Sequence, residues 1–292
     1  MMDAGILSFG FFQNAILAAV LASIACGIIG SLVVVKRMVT VSGGISHAAF
    51  GGVGLGYLFS IDPIVGAFFF SVGVALGIGI VKEKAGQEID TLIGAVWAAG
   101  MAVGIISVSL AEGYTPDLFS YLFGNILLVP QGDIILMAVF SACIVAIVAL
   151  FYLPLQAVTF DEEYARVMNL PVTALSLVLL VLTATCVIIL IRLVGIILGI
   201  ALLVLPAASV RGFTTRLPTM MAASVVLALV LSLSGLFLSY AWDLPSGATI
   251  ILLGAAVYAV SLVLSRFSPA RRWGGGTRSD RRLPQQEGPE GR

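Results

Sequence analysis

Long, uninterrupted apolar runs constrain this chain more than any other feature. Stretches of about 17–25 apolar residues can cross the roughly 30 Å hydrocarbon core of a bilayer as helices. With 60% hydrophobic and only 10% charged residues, the chain lacks the polar surface that a soluble domain needs. We therefore predict an all-α, polytopic helical membrane protein, which excludes an ordinary soluble enzyme and a nucleic-acid-binding protein. The nine candidate spans lie at about 14–35, 43–60, 62–81, 91–111, 133–153, 173–191, 194–210, 219–240 and 246–265.

Two ambiguities in these runs leave the number of spans at eight or nine. The second run, residues 43–60, is so rich in glycine that a broken or re-entrant helix is an alternative to a continuous one. The sixth and seventh runs are separated only by Arg192-Leu193, so they are either two spans or one. Arg192 itself is more typical of a side chain that snorkels to the interface than of a gating residue.

The basic residues predict the orientation of the chain. With nine spans and an outside N-terminus, the inside loops and the C-terminal tail carry 14 of the 15 Lys and Arg residues. The positive-inside rule then places the C-terminus in the cytoplasm. We expect one transmembrane domain over residues 1–267, with a polar inside segment at about 154–172. The basic tail, 268–292, is predicted to be disordered, and its arginines also suit contact with anionic membrane lipid.

The single histidine, His47, is the leading candidate for a functional side chain. Ionisable groups within spans are expensive and often mark a substrate or ion pathway, and imidazole is a favoured ligand of Zn²⁺ and similar ions. The alternative is a buried histidine that only hydrogen-bonds a neighbouring helix. A metal site needs further ligands, for which Ser42, Ser46, Glu88 and Asp90 are candidates. Asp90 also has the position of a helix N-terminal cap, which is an equally ordinary role.

The remaining motifs indicate helix packing and docking of a partner protein, and they do not indicate an enzyme. The sequence contains no G-x-x-x-x-G-K-[ST] loop, so nucleotide hydrolysis of the P-loop type is excluded. Glycines at the density seen in the second run let helix backbones approach closely, which predicts helix packing at Gly51, Gly52, Gly54 and Gly56. The acidic stretch at 160–166 (FDEEYAR) is either a docking helix for a soluble partner or a solvated loop.

Six motifs, in order, resemble the zinc/manganese-type (ABC-3) permeases of ATP-binding cassette importers over about residues 14–265. The resemblance implies a non-catalytic permease in a prokaryotic plasma membrane, with the fold of an ABC-importer permease bundle. The motifs are VSGGISHAAFGG (41–52), IDTLIGAVWAAGMAVG (89–104), PDLFSYLFGNIL (116–127), FDEEYARVMNLPV (160–172), RLVGIILGIALLVLPAASVR (192–211) and DLPSGATIIL (243–252).

The resemblance also implies partners and roles for particular residues. A second copy of the permease, a cytoplasmic ATPase dimer and an extracytoplasmic metal-binding protein would complete the importer. ATP would act only through the ATPase, and no cofactor would be bound stably, because the divalent metal ion is the cargo. His47 matches the family's pathway histidine. The family's ATPase-coupling segment matches the residues Asp161, Glu162, Tyr164, Ala165 and Asn169.

One departure from the family bears on the choice of metal. Many members carry an acid four residues before the histidine, where this chain has Gly43. Losing a hard oxygen ligand weakens a preference for Mn²⁺, so the sequence favours Zn²⁺. Two alternatives stay open: a permease of the same class for an iron chelate or a cobalamin-like cargo, and an ion-coupled secondary carrier. The carrier is disfavoured because almost no carboxylates lie in mid-span.

Overall fold

The computed structural model describes residues 9–85, 89–111 and 118–265, and in these ranges the chain is helical. The predicted tail, 268–292, lies outside the described residues. A short 3₁₀ turn, Ile126–Leu128, follows α5. The α-helices are α1 (Gly10–Val35), α2 (Val39–Leu58), α3 (Pro63–Ala85), α4 (Ile89–Leu110), α5 (Leu118–Phe123), α6 (Gln131–Leu150), α7 (Tyr152–Phe160), α8 (Glu162–Val167), α9 (Val172–Arg211), α10 (Leu217–Trp242) and α11 (Ser246–Ser265).

The longest helix, α9, doubles back on itself at Gly195. That residue alone in α9 has non-helical angles, with φ 80° and ψ 173°. A Cβ built on Gly199 lies 3.3 Å from the Cβ of Leu190, whereas nine residues of straight helix span about 13.5 Å. The two ends of α9 also lie at the same end of α1. Lys36 donates to Ser176 near the start of α9, and Arg211 at its end donates to the carbonyl of Val34.

This reversal makes α9 a hairpin of two antiparallel helices, residues 172–194 and 196–211. Eight segments of the described ranges are long and apolar enough to cross a membrane, and α9 supplies two of them, Val172–Ile191 and Leu193–Arg211. The sixth and seventh predicted spans are therefore separate helices, and the break between them falls at Gly195 instead of at Arg192-Leu193. The side chain of Arg192 is outside the described part of the chain.

The glycine-rich second run forms the continuous helix α2, not a broken or re-entrant one. α2 is less hydrophobic than the eight spans and is not counted among them. It is instead buried by α3, α4 and α9. Because these neighbours cover its surface, α2 does not need the apolar side chains that a lipid-facing helix carries. With α2 included, the described ranges supply nine long helices that alternate in direction.

Apart from Arg192, which precedes the α9 turn, the basic residues of the described ranges gather at one end of the bundle, which we call the basic face. The opposite end holds the α9 turn and α5. The contacts of Lys36 with Ser176 and of Arg211 with Val34 join helix ends at the basic face. This clustering is the asymmetry that the sequence predicted for the loops between spans. The six described basic residues at this face are Lys36, Arg37, Lys82, Arg166, Arg211 and Arg216.

Small residues allow α2 to press against its neighbours at backbone distance. A Cβ on Gly51 would lie 2.8 Å from the carbonyl oxygen of Gly100 in α4. A Cβ on Gly52 would lie 2.6 Å from the Cα of Ala67 in α3, and one on Gly56 would lie 2.7 Å from the Cα of Pro63. Gly54 meets the backbone of Gly104. The four glycines singled out in the sequence therefore lie where α3 and α4 cross α2.

This crossing predicts different responses from two glycines of α4. A Cβ at Gly104 would lie 2.6 Å from the carbonyl oxygen of Phe50, whereas nothing lies within 4 Å of one at Gly94. We expect Gly104→Ala to destabilise the protein by about 1–3 kcal/mol through overpacking. Gly94→Ala should be neutral or slightly stabilising, because alanine favours a helix. Thermal unfolding in detergent checks this, and equal melting temperatures for the two variants would contradict the described crossing.

Candidate translocation site and coupling segment

The site around His47 lies in the buried middle part of α2. His47 is only 6% exposed, and its ring stacks on the indole of Trp97 in α4, with centroids 4.0 Å apart and planes 14° apart. The Nδ1 atom of His47 is buried and has no hydrogen-bond partner among the residues that the structure describes. Buried polar atoms are rarely left without a partner in folded proteins. This nitrogen is therefore available to bind a ligand.

Ser46 connects this part of α2 to the turn of α9. Its hydroxyl donates to the carbonyl oxygen of Ile196, the residue after Gly195, at 3.0 Å. Beside this turn, Gly124 of the α5 loop has φ +66° and packs backbone to backbone against Gly195 and Val194. The predicted residue Ser46 thus acts as a hydrogen-bond donor to the α9 turn in this structure. Any shift of that turn would therefore move or break a hydrogen bond of the residue next to His47.

Position 43 is open on the same side of α2 as His47. The two are four residues apart, so they lie one above the other on the helix. The nearest atom to a Cβ built on Gly43 is Ile200 Cδ1 at 3.5 Å, an ordinary van der Waals distance. Within the three described ranges, no group of three or more His, Cys, Asp or Glu side chains is close enough to hold a metal ion. His47 therefore does not belong to such a group in these ranges.

Asp90 does not lie beside His47. It is an exposed residue in the first turn of α4, near the basic face. Ile93, one turn further along, is the α4 residue that packs on Gly44 of α2, and Trp97 reaches His47. Asp90 precedes Trp97 by seven residues, or about 10 Å along the axis. Its position suits a helix-terminal acid and not a ligand shared with His47. Glu88 is outside the described residues.

The second candidate region is the polar segment at the basic face, which forms α7 and α8. Asp161 caps α8 by accepting hydrogen bonds from the backbone N–H groups of Glu163 and Tyr164, at 2.9 and 3.0 Å. Ala165 is fully buried, whereas Tyr164 is exposed. Asn169 ends the segment in the left-handed region, with φ 55°. The predicted coupling residues thus form one short, capped helix with a buried and an exposed side.

An ion-pair network fastens α8 to the membrane helices. Glu162 Oε1 lies 2.8 Å from the Nζ of Lys36, at the end of α1, and 3.4 Å from the Nζ of Lys82 in α3. Lys36 also donates to the carbonyl of Val158 in α7 and to the hydroxyl of Ser176 in α9. Its side chain is only 4% exposed. One lysine therefore joins the polar segment to both α1 and the α9 hairpin.

Burial is the largest influence on the pKa of both partners in this pair. It lowers the pKa of Lys36 below its ordinary value, and the attraction of Glu162 only partly offsets it. Burial alone would raise the pKa of Glu162, but the ammonium groups of Lys36 and Lys82 together outweigh it and hold that pKa below its ordinary value. The carboxylate is therefore ionised at neutral pH and provides the negative charge at the centre of the network.

Comparison with known proteins identifies the family. A family model described as the ABC 3 transport family matches residues 8–265. This match spans most of the chain, including both candidate regions. The chain belongs to the ABC 3 transport family. The resemblance seen in the six sequence motifs is therefore confirmed.

Relatives of this ABC 3 chain cover nearly the same length. An uncharacterized membrane protein of Synechocystis sp. is 47% identical over 260 residues, with 89% of this chain and 92% of the relative aligned. The manganese transport system membrane protein MntC of Listeria innocua is 33% identical over 261 residues, covering 89% and 93%. The solved structure of PsaBC from Streptococcus pneumoniae, in complex with Fab, aligns with a TM-score of 0.82 at 31% identity, covering 92% and 96%.

The structure adds three residues that the sequence interpretation of this ABC 3 chain left out. Trp97 stacks on His47, Lys36 pairs with Glu162 of α8, and Gly195 turns α9. Trp97 lies in the motif at 89–104, and Gly195 lies in the motif at 192–211, so both were marked as a region but not as individuals. Nothing in the sequence pairs Lys36 with Glu162, because the two residues lie far apart in the chain.

Proposed function

We propose that this chain is the permease subunit of an ATP-binding cassette importer for divalent transition metal ions. The unpartnered Nδ1 of His47, buried beside Trp97, is the observation that carries the proposal. Family membership and the manganese transport name of the Listeria relative support the same class of cargo. The chain has no P-loop of its own, so ATP hydrolysis belongs to a separate subunit.

In this proposal, the metal ion is cargo that binds briefly to His47. Imidazole nitrogen suits Zn²⁺ and its neighbours in the transition series. A single side-chain ligand in each chain leaves the remaining coordination positions to water, backbone carbonyls or the histidine of a second copy. Such a site binds weakly enough for release, which a transport pathway requires. A metal-binding protein on the opposite face would supply the ion.

The coupling segment would transmit the motion of the ATPase. We place the basic face in the cytoplasm, as the positive-inside rule requires. The outer side of the segment exposes Tyr164, Val167 and Met168, an apolar surface of the kind that packs against a partner protein. A push on α8 reaches α1 and α9 through Lys36. The turn of α9 contacts Ser46, next to His47, so the α9 hairpin would link the ATPase side to the cargo site.

Zn²⁺ is the favoured ion because position 43, one helical turn from His47, carries no carboxylate, and Gly43→Asp tests this. The space at position 43 accommodates a Cβ without overlap, and the new carboxylate would lie one helical turn from the imidazole. We expect the ratio of Mn²⁺ to Zn²⁺ uptake to rise roughly tenfold, as other changes around a metal ligand do. Gly43→Asn is the matched control, since it adds an oxygen without the charge. An unchanged ratio in Gly43→Asp would contradict this account of selectivity.

The proposed function is tested by metal uptake into proteoliposomes that contain this chain and its ATPase. Elemental mass spectrometry would measure zinc, manganese, iron and cobalt together, with and without ATP. We expect ATP-dependent uptake of zinc or manganese that is lost in His47→Ala while the complex still assembles. Ser109→Ala is the control, because Ser109 is exposed near the end of α4 and its hydroxyl donates to the carbonyl of Ile106 in the same helix. ATP-dependent uptake of iron chelate alone would replace the proposed cargo, and uptake without ATP would contradict the importer mechanism.

A further inference from the structure

A large cavity at the basic face lies apart from the His47 site and the coupling segment. Its volume is about 840 Å³, and it opens between the ends of α1, α9 and α11 and the start of α2. Two arginines, Arg37 and Arg211, line it. No carboxylate is among its lining residues, and neither arginine has an acidic partner in the described part of the chain. The cavity therefore carries two uncompensated positive charges.

Hydrogen bonding within the cavity leaves a small set of free donors. The hydroxyls of its serines and threonine donate to carbonyls of their own chain segments, as in Ser209 to Leu205 and Ser261 to Tyr258. One nitrogen of Arg211 donates to the carbonyl of Val34 at 3.3 Å, which holds that side chain at the cavity wall. The rest of the Arg211 guanidinium and the whole guanidinium of Arg37 are unengaged among the described residues. So is the phenol hydroxyl of Tyr258, which also lines the cavity.

The remaining lining is apolar, which separates this cavity from a site for a free inorganic anion. The apolar residues that line the cavity beside the polar groups include Val34, Val39, Val204 and Leu262. Leu262 and its neighbours Val263 and Leu264 are exposed on α11, on a helix that qualifies as a membrane span. An acyl chain lying against this helix would hold its headgroup level with the two arginines. Guanidinium groups recognise phosphate oxygens through paired hydrogen bonds.

We propose that this cavity binds the phosphate of an anionic phospholipid in the leaflet at the basic face. Pockets of basic residues between membrane helices on the cytoplasmic side have the chemistry for such headgroups. Arg37 and Arg211 would bind the phosphodiester, Tyr258 would donate a further hydrogen bond, and the apolar wall would receive the start of the acyl chains. The bound lipid would bridge α1, α9 and α11, three helices that meet at the cavity.

Native mass spectrometry of the full chain with its ATPase tests this site. The probes are dioleoyl-phosphatidylglycerol, dioleoyl-phosphatidylcholine and sn-glycerol 3-phosphate, each titrated into delipidated complex. We expect preferential retention of phosphatidylglycerol, weakened about fivefold in Arg37→Gln and about thirtyfold in Arg37→Gln/Arg211→Gln. Arg216→Gln is the control, since Arg216 lies at the same face but does not line the cavity. Arg37→Gln serves as the milder variant, because Arg37 makes no described hydrogen bond that folding would lose.

Each outcome of this titration bears on the proposal. Equal retention of the two lipids, or a loss in Arg216→Gln as large as in Arg37→Gln, would overturn it. Displacement of phosphatidylglycerol by an equal concentration of glycerol phosphate would show a site for soluble phosphate and reject the lipid. None of these results depends on transport, so a failure here is distinct from a failure of the metal-importer assignment.

Discussion

Replacing Gly195 by alanine is expected to destabilise the protein by about 3–5 kcal/mol, because backbone strain and steric overlap act together at this residue. Its φ of 80° and ψ of 173° are accessible to glycine and strained for any residue with a Cβ. A Cβ there would also lie 2.5 Å from the backbone nitrogen of Gly124 and would overlap the carbonyl of Leu122. The melting temperature in detergent should fall by roughly 6 °C or more.

The control for this change is Gly77→Ala in α3. Gly77 has helical angles, and nothing lies within 4 Å of a Cβ built on it, so the substitution adds the same methyl group without strain or overlap. Function should follow stability at Gly195, because the shifted turn moves the Ile196 carbonyl away from Ser46. If Gly195→Ala melts at the same temperature as Gly77→Ala, α9 does not turn at Gly195.

The second large effect is expected at the ion pair between Lys36 and Glu162. Glu162→Gln leaves the ammonium of Lys36 buried without its counterion, at 4% exposure, whereas Lys36→Met leaves a carboxylate that Lys82 still neutralises. We therefore expect Glu162→Gln to destabilise the protein more, by about 2–4 kcal/mol, because an unpaired buried charge is costly. The double variant Lys36→Met/Glu162→Gln should recover most of this loss, since it removes both charges.

Measuring ATP-dependent uptake distinguishes whether the Lys36–Glu162 pair takes part in coupling or only in folding. If the pair transmits ATPase motion to the membrane helices, ATP-dependent uptake should fall roughly 5- to 100-fold in both single variants and in the double variant. Uptake that recovers together with stability in the double variant would mean that the pair is only structural. Glu163→Gln is the control, because Glu163 lies on the same helix, is exposed, and forms no described ion pair.

Much of the architecture followed from local patterns in the chain. Apolar runs long enough to cross a bilayer predicted the helices, and the uneven distribution of Lys and Arg predicted which helix ends share a face. The glycines of α2 indicated a close helix crossing, which the structure shows. For the acidic stretch at 160–166 the sequence left a helix and a solvated loop open, and the structure has the short helix α8 there.

The sequence did not predict which side chains from distant helices contact each other. His47 meets Trp97 fifty residues away, Ser46 meets Ile196, and Lys36 meets Glu162. In a soluble helix, an apolar stripe marks the face that packs inward. These helices are apolar all round, because lipid is as apolar as a protein core, so their sequences do not distinguish a lipid-facing side from a packed one.

By itself, the sequence determined that this chain is a bundle of membrane helices with one basic face, because length, hydropathy and charge act locally along the chain. Only the tertiary structure decided that α9 turns back at Gly195, that α2 is buried despite its modest hydropathy, and that one lysine joins the coupling segment to α1 and α9. Those features depend on close packing and on single hydrogen bonds between distant segments. These contacts form only between atoms that the folded chain brings together, so the sequence does not show them.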